Sequence, residues 1–289
     1  MRRLLDRLTA RIAADAQRQA RWSPAVKVAL RQLWLEHRSR AERGAPLPSI
    51  WTTGFRIFSQ FDEDGIILFL LASLGDGPGL FVDIGAGDGV FASNCANLAI
   101  NFGLHGACVE ADAALVARGT RFYAEHPDTS LYPPAFVHAR ATPDTVNDVV
   151  ASSGLAGEID LLSIDIDGND YWVWQALTAV RPRVVVIETH PELGRRALVA
   201  PYAEEPSRVP GRPAHFLGAS PAGMTALAHR LGYRLVGANR FGFNLFYVRE
   251  ELARDRFPAV EVSELFRHPR ARARELPAEQ LAGLPFLEP

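Results

Sequence analysis

The sequence predicts an α/β fold: an open, mostly parallel seven-stranded sheet, covered by helices on both faces, with an antiparallel last strand. Three observations predict it. From residue 80 onward, short apolar runs alternate with helix-length segments, the pattern of a parallel sheet buried on both sides. The first run empties into a glycine-rich turn, Gly85-Ala86-Gly87-Asp88-Gly89. The last two runs, Tyr233–Ala238 and Phe243–Val248, are joined only by Asn239-Arg240-Phe241-Gly242. That link is a hairpin turn, too short for a parallel crossover.

Residues 1–48 read as a helical arm and linker. Leu4, Leu5, Leu8 and Ile12 recur at helical spacing, as do Val26, Leu30, Leu33 and Trp34. The arm breaks near Ser23-Pro24, because proline disfavours a helical residue before it, and Gly44 to Pro48 is the linker. Residues 62–74 predict a helix capped by Asp62. The parallel strands are Leu80–Ile84, Gly106–Glu110, Ala135–Ala139, Asp160–Asp165 and Arg183–Glu188, with helices near 91–102, 112–125, 143–153 and 169–180. The sheet-bearing domain spans 49–250. The tail, 251–289, is rich in proline and charge and reads as a surface segment or a clasp.

With 289 residues, 48% of them hydrophobic, the chain can bury one large core. Its 31 basic and 33 acidic residues nearly balance, which gives no reason to expect a nucleic-acid partner. Cys95 and Cys108 fit buried, reduced thiols and a cytoplasmic location. No apolar run is long enough to span a bilayer, and the first residues lack the features of a secretory signal. The arm carries eleven basic residues against four acidic ones over 1–43. It is either a solvated helical face or a segment that packs on a partner subunit or covers the active site, so a homodimer is one of the arrangements expected.

The strongest local signal is Phe81-Val82-Asp83-Ile84-Gly85-Ala86-Gly87-Asp88-Gly89: an apolar strand, a glycine turn, then a helix. Glycines allow a ligand to approach the backbone closely. A dinucleotide fingerprint needs its third glycine where Val90 stands, and no Gly-Lys-Ser/Thr follows for a phosphate loop. The second strand ends at Glu110, twenty-one residues after Gly89. A carboxylate there can accept both hydroxyls of a ribose, with Asp112 as the alternative. Asp83 can hold loop amides or a ligand's amino group. The spacing points to a nucleoside without a phosphate requirement.

At these residues the chain resembles class I S-adenosylmethionine (SAM)-dependent methyltransferases, more narrowly the FkbM-type enzymes and their macrocin-type relatives. The resemblance covers about residues 57–249. It rests on Ser59 to Gly65, Phe81 to Asn94, Leu161 to Asp170, and Val184 to His190. It implies a Rossmann-like methyltransferase fold in which Asp83, Gly85, Gly87 and Gly89 surround the methionine part of SAM and Glu110 holds the ribose. Gln60 and Asn94 match positions near the SAM carboxylate, and Asp165 lies at the cofactor's edge. The position after the third strand, often acidic in the wider class, reads His138-Ala139-Arg140-Ala141-Thr142 and leaves backbone contacts for the adenine.

Ligands of open parallel sheets bind at the carboxyl ends of the strands. Two strands end in chemistry: Ser163-Ile164-Asp165-Ile166-Asp167 and Ile187-Glu188-Thr189-His190. Asp165 and Asp167 share one face of an extended chain, and neighbouring strands lie ~4.8 Å apart, so Glu188 and His190 can converge on them. Three readings stay open. His190 or Asp167 is a general base for an acceptor hydroxyl. Asp165, Asp167, Glu188 and His190 bind a divalent ion such as the magnesium that macrocin-type relatives use. Or Asp165 caps the next helix and Glu188 pairs with an arginine such as Arg183.

The irregular segment from Pro191 to Gly218, with Glu192, Arg195, Arg196, Tyr202, Arg208, Arg212 and His215, is a lid beside the acceptor or a solvated loop. Tyr171, Trp172 and Trp174 are at least partly core. The function expected is O-methylation, from SAM, of a hydroxyl on a sugar, glycan or secondary metabolite, with Asp167 and His190 handling the acceptor. The alternatives are a metal-dependent enzyme using SAM for other chemistry, a non-catalytic nucleoside-binding regulator, and an NAD oxidoreductase disfavoured by the glycine spacing.

Overall fold

The computed structural model describes residues 23–204, 213 and 216–289. The first half of the arm, with Leu4, Leu5, Leu8 and Ile12, lies outside the described residues, as do Arg208, Arg212 and His215.

The chain order is α1 (Pro24–Glu42), α2 (Glu63–Leu74), β1 (Leu80–Ile84), β2 (His105–Glu110), α3 (Ala113–Glu125), β3 (Ala135–His138), α4 (Val146–Ser152), β4 (Gly157–Ile164), α5 (Asp170–Ala176), β5 (Val180–Glu188), α6 (Pro221–Arg230), β6 (Tyr233–Ala238), β7 (Asn244–Arg249), and two short tail helices, α7 (Pro269–Arg274) and α8 (Ala278–Leu281). The seven strands form one sheet in the order β3-β2-β1-β4-β5-β7-β6. β7 runs antiparallel to both β5 and β6; every other pairing is parallel. The expected fold class is what the structure shows.

Side-chain alternation along the strands builds two cores. Val82, Ile84, Leu162, Ile164, Val185 and Ile187 face one layer, against Val146, Val173, Trp174 and Met224 of the helices. Phe81, Leu161, Val184 and Val186 face the other, against Ile66, Ile67 and Leu70 of α2. Nearly every one of these strand side chains is fully buried, which is why β4 and β5 read as continuous apolar runs. Tyr171 and Trp174 lie in the first core.

The helix expected at 91–102 begins at Ala96 and widens into a π-turn over Leu98–Phe102. The intervening chain is occupied otherwise. Asp88 accepts the amides of Val90 and Phe91, Ala92 takes a positive φ of 56°, and Ser93 Oγ accepts the amides of Cys95 and Ala96. Ser93 therefore caps the helix. Asp62 stands at the start of α2 but makes no capping bond; its carboxylate takes the Arg240 amide and pairs with the Arg240 guanidinium. The helix expected at 169–180 ends at Ala176, because β5 already starts at Val180, where it pairs with Gly157 of β4.

The tail is a clasp. Buried Arg234 of β6 donates to the carbonyls of Phe257, Arg249, Glu250 and Leu252, fixing the chain as it leaves the sheet. Leu265 and Phe266 enter the first core. Farther on, Leu276 N donates to Glu192 O, and Leu287 forms an isolated antiparallel bridge with Val199.

At the opposite, amino-terminal edge of the sheet, Arg183 of β5 donates to Asp160 of β4 at 2.8 Å and to the carbonyls of Gly75 and Leu74. Asp160 accepts the amides of Gly79 and Leu80 with its other oxygen. Both side chains are buried. This pair joins the end of α2 to three strands, so removing one partner strands a buried charge. Arg183→Met is expected to lower unfolding free energy by about 3–5 kcal/mol in denaturant titration. A change under ~1 kcal/mol would show that the pair does not hold this edge.

Candidate functional site

The strand order reverses between β1 and β4, and the two loops leaving them open a cleft. Gly85, Gly87 and Gly89 all have positive φ, at 83°, 59° and 68°, yet they serve different ends. A Cβ on Gly85 would collide with the backbone carbonyl of Asp165, so this glycine lets β4 exit against β1. A Cβ on Gly89 would lie 2.8 Å from the ring of Phe136, and Gly89 O accepts the buried Tyr123 hydroxyl at 2.6 Å; this glycine packs the loop on α3. Only Gly87 faces open space, with nothing within 4 Å of its missing Cβ.

Opposite Gly87 stands Glu110, at the end of β2. Its Oε2 accepts Gly87 N at 2.9 Å and its Oε1 accepts Asp112 N at 2.8 Å. Each oxygen keeps a second lone pair for a ligand. Asp112, the alternative ribose acid, is instead the N-cap of α3, accepting the Ala114 and Leu115 amides. The cleft, about 220 Å³, runs from Gly85 and Glu110 past Ala139 to Thr142 on one side and Asp165 to Asp167 and Asn169 on the other. Tyr202 and Glu204 close it. They belong to the segment expected as a lid at the acceptor, but they border the glycine-turn cleft. Asn169 Nδ2 donates to Ala203 O, and Trp172 Nε1 to Ala200 O, holding this segment down.

Asp83 and Asn94, expected at the ligand, lie beneath the turn. Asp83 is buried and accepts the Ser93 hydroxyl; Asn94 donates to Ser163 Oγ at 3.3 Å. Burial pushes the Asp83 carboxyl up to about 6. Gln60 is exposed and borders a second cavity rather than the cleft. Its loop is set by buried Asp64, whose Oδ2 accepts the amides of Ile57, Phe58 and Ser59. The Ser59-to-Ala92 bridge brings that loop against the segment after the glycine turn.

The carboxyl ends of β4 and β5 do converge. Asp165, Asp167 and Glu188 place carboxylate oxygens within 4.8 Å of one another. Glu188 hydrogen-bonds to Asp165. Burial, then the charges of Asp165, Asp170 and Asp167, push Glu188 up to about 10. Burial, Asp170 and Asp167 push Asp165 up to about 7. At neutral pH Glu188 therefore keeps its proton and donates it to Asp165. Asp170, also raised by burial, is turned inward onto the amides of Ile166 and Gly168, bending the chain through Asp167 at φ 55°.

His190 does not join that set. It packs against Gly218, where a Cβ would strike its ring, and its buried Nε2 has no hydrogen-bond partner among the described residues. Burial lowers its pKa, so it is neutral at pH 7. Glu188 makes no pair with Arg183, which is committed to Asp160 at the far edge, and the turn before α5 is held by Asp170 rather than Asp165. The structural alternative for these two acids thus fails on both counts.

Glu188 also borders the second cavity, about 510 Å³, whose walls are Phe61, Phe241 and Phe243 and whose rim is Arg270 and Arg274 of α7. The sequence did not single out these five residues. A tail helix reaching the site has no signature in a single sequence, and aromatic residues flanking a hairpin turn look like ordinary core.

The sequence matches no protein-family model and no curated protein. Solved structures give distant likenesses. One is magnesium protoporphyrin IX methyltransferase from Synechocystis PCC 6803, at 16% identity, covering 65% of this chain and 81% of that one, TM-score 0.41. Another is a SAM-dependent methyltransferase from Aquifex aeolicus, at 13% identity, covering 73% and 96%, TM-score 0.36. A third is the mitomycin 7-O-methyltransferase, at 15% identity, covering 82% and 71%, TM-score 0.36.

The three glycines separate by experiment. Gly85→Ala is expected to cost more than ~3 kcal/mol, from positive φ plus backbone overlap. Gly87→Ala is expected to cost only about 1 kcal/mol, since its surroundings are open. Equal losses in thermal or denaturant unfolding would contradict the assignment of the open position to Gly87.

Proposed function

We propose that the protein is a SAM-dependent methyltransferase that methylates a hydroxyl of a small molecule. The observation that carries the reading is the pairing of Glu110 with Gly87: a carboxylate at the end of β2, held across an open glycine turn. Glu110 would hold the ribose hydroxyls of the nucleoside, and the backbone from Ala139 to Thr142 would receive its base. Gly85, Gly87 and Asp165 would border its methionine end.

Methyl transfer from a sulfonium needs the acceptor oxygen, carbon and sulfur in line, and a place for the acceptor's proton. Asp165 borders the cleft and Glu188 the second cavity, and the two are hydrogen-bonded. In the proposed reaction the acceptor hydroxyl gives its proton to Glu188 as Glu188 passes its own to Asp165. The oxygen takes the methyl group and the sulfonium leaves as a neutral thioether. Asp167, the exposed third carboxyl, connects the pair to solvent. His190 sits behind, fixing the loop after β5.

The same three carboxyl groups have the oxygen chemistry of a magnesium site, and their grouping within 4.8 Å is the observation that favours this second reading. Asp165, Asp167 and Glu188 would hold the ion, which would lower the pKa of the acceptor hydroxyl.

Two measurements test the proposal. Calorimetric titration is expected to show saturable binding of SAM and of its demethylated product, with Glu110→Ala weakening both at least about tenfold; no heat with either, on folded wild-type protein, rejects the cofactor. In methyl-transfer assays with hydroxylated acceptors, kcat/KM is expected to fall as pH drops through about 7, where Asp165 takes up a proton. Activity is expected to persist in excess chelator, and Glu188→Gln to lower kcat by about 10²-fold or more. Loss in chelator, restored by magnesium, would replace the carboxyl relay with the metal reading.

A further inference from the structure

The second cavity has a polarity that the methyltransferase reading does not require. Its floor is Glu188, half-buried and acidic. Its walls are rings: Phe61 meets Phe241 edge to face at 4.7 Å and Phe243 at 5.5 Å. Its rim is cationic and comes from a different part of the chain. Along α7, Ala271 turns into the core with no exposure, which sends Arg270, Ala273 and Arg274 toward the opening.

The two arginines are not equivalent. Arg274 is held, pairing with Glu192 at 2.7 Å and lying over the Phe243 ring at 5.8 Å. Arg270 is exposed and makes no ion pair among the described residues. The other arginines of this region are committed elsewhere: Arg267 to Glu264 and the face of Trp51, Arg272 to the Phe266 carbonyl. Arg270 is thus a free planar donor at the mouth of an aromatic slot, and arginine recognises carboxylates through paired hydrogen bonds.

Resting on the methyltransferase reading, we propose that the acceptor is a hydroxylated ring bearing a carboxylate. The ring lies among Phe61, Phe241 and Phe243, its hydroxyl reaches Glu188, and its carboxylate meets Arg270 at the other end. The arrangement fixes regiochemistry, since a carboxylate turned toward the floor would face Glu188, Asp165 and Asp167. In the transfer itself, the ring oxygen loses its proton to Glu188 as Glu188 passes its own to Asp165, and gains the methyl group from SAM; the carboxylate takes no part.

Fluorescence titration of the intact protein with a hydroxynaphthoate and with the matching naphthol tests this without requiring SAM to bind. The naphthoate is expected to bind at least about tenfold more tightly than the naphthol. Arg270→Gln is expected to abolish that preference, Arg270→Lys to retain part of it, and added salt to reduce it. Arg270 is exposed, so unchanged thermal unfolding shows that the variants fold. Equal binding of the two probes to the wild type, or a preference that survives Arg270→Gln, overturns the proposal. If SAM fails to bind while the preference holds, the cofactor reading falls and the anionic ring site stands.

Discussion

The close approach of β1 and β4 where both leave the sheet governs the rest of the site. Asp165 N donates to Ile84 O, and the Asp165 carbonyl lies where any side chain on Gly85 would be. With the strands this tight, their loops must part in opposite directions, one toward β2 and the other toward β5. The cleft is the gap left by that parting. Glu110 reaches it because β2 is in register with β1. Glu188 reaches its other end because β5 is in register with β4. A looser junction would move Asp165, and with it the hydrogen bond to Glu188.

Around this junction the chain uses carboxylates as scaffolding. Asp64 gathers three consecutive amides under Gln60, Asp88 gathers two after the glycine turn, Asp160 two at the entry to β1, and Asp170 two across the bend at Asp167. A charge-assisted bond to a backbone amide is stronger than a neutral one. Several such bonds on one carboxylate hold an irregular loop as firmly as secondary structure holds a strand. This explains why so many acids of the glycine-turn and β4 motifs are buried without touching open space. Asp165 and Glu188 differ: they have each other and no amide network, so burial and like charge leave them with a shared proton.

The sheet was legible because β1, β2, β4 and β5 are buried on both faces and therefore nearly uniform in apolar character, and because Gly242 closes too short a link for a crossover. Glu110 and the Asp165–Glu188 convergence were legible for the same reason: register puts strand ends side by side. Legibility stopped where side-chain direction depends on local turns. Asp83 and Asn94 stand at the right sequence distance from the turn, but Ser93 and Ser163 draw them inward. Gly85, Gly87 and Gly89 look alike as letters, and only their neighbours reveal that one is open. The helix after the turn starts late because Asp88 and Ser93 satisfy amides that a helix would have used.

The tail shows a different limit. Nothing in residues 251–289 announces that α7 will reach the site; the placement follows from contacts scattered along the chain. Arg234 takes the first turn, Leu265 and Phe266 dock in the core, Arg274 joins Glu192, and Leu287 pairs with Val199. The segment carrying Glu192 and Val199 also carries Tyr202 and Glu204 over the cleft. Cleft cover and cavity rim are therefore stitched together through Glu192 and Val199, and neither can swing away without the other's anchors yielding. In the proposed enzyme the donor and acceptor sites would then share their anchors, and they would have to open to each other where Asp165 meets Glu188 for the acceptor oxygen to reach the methyl carbon.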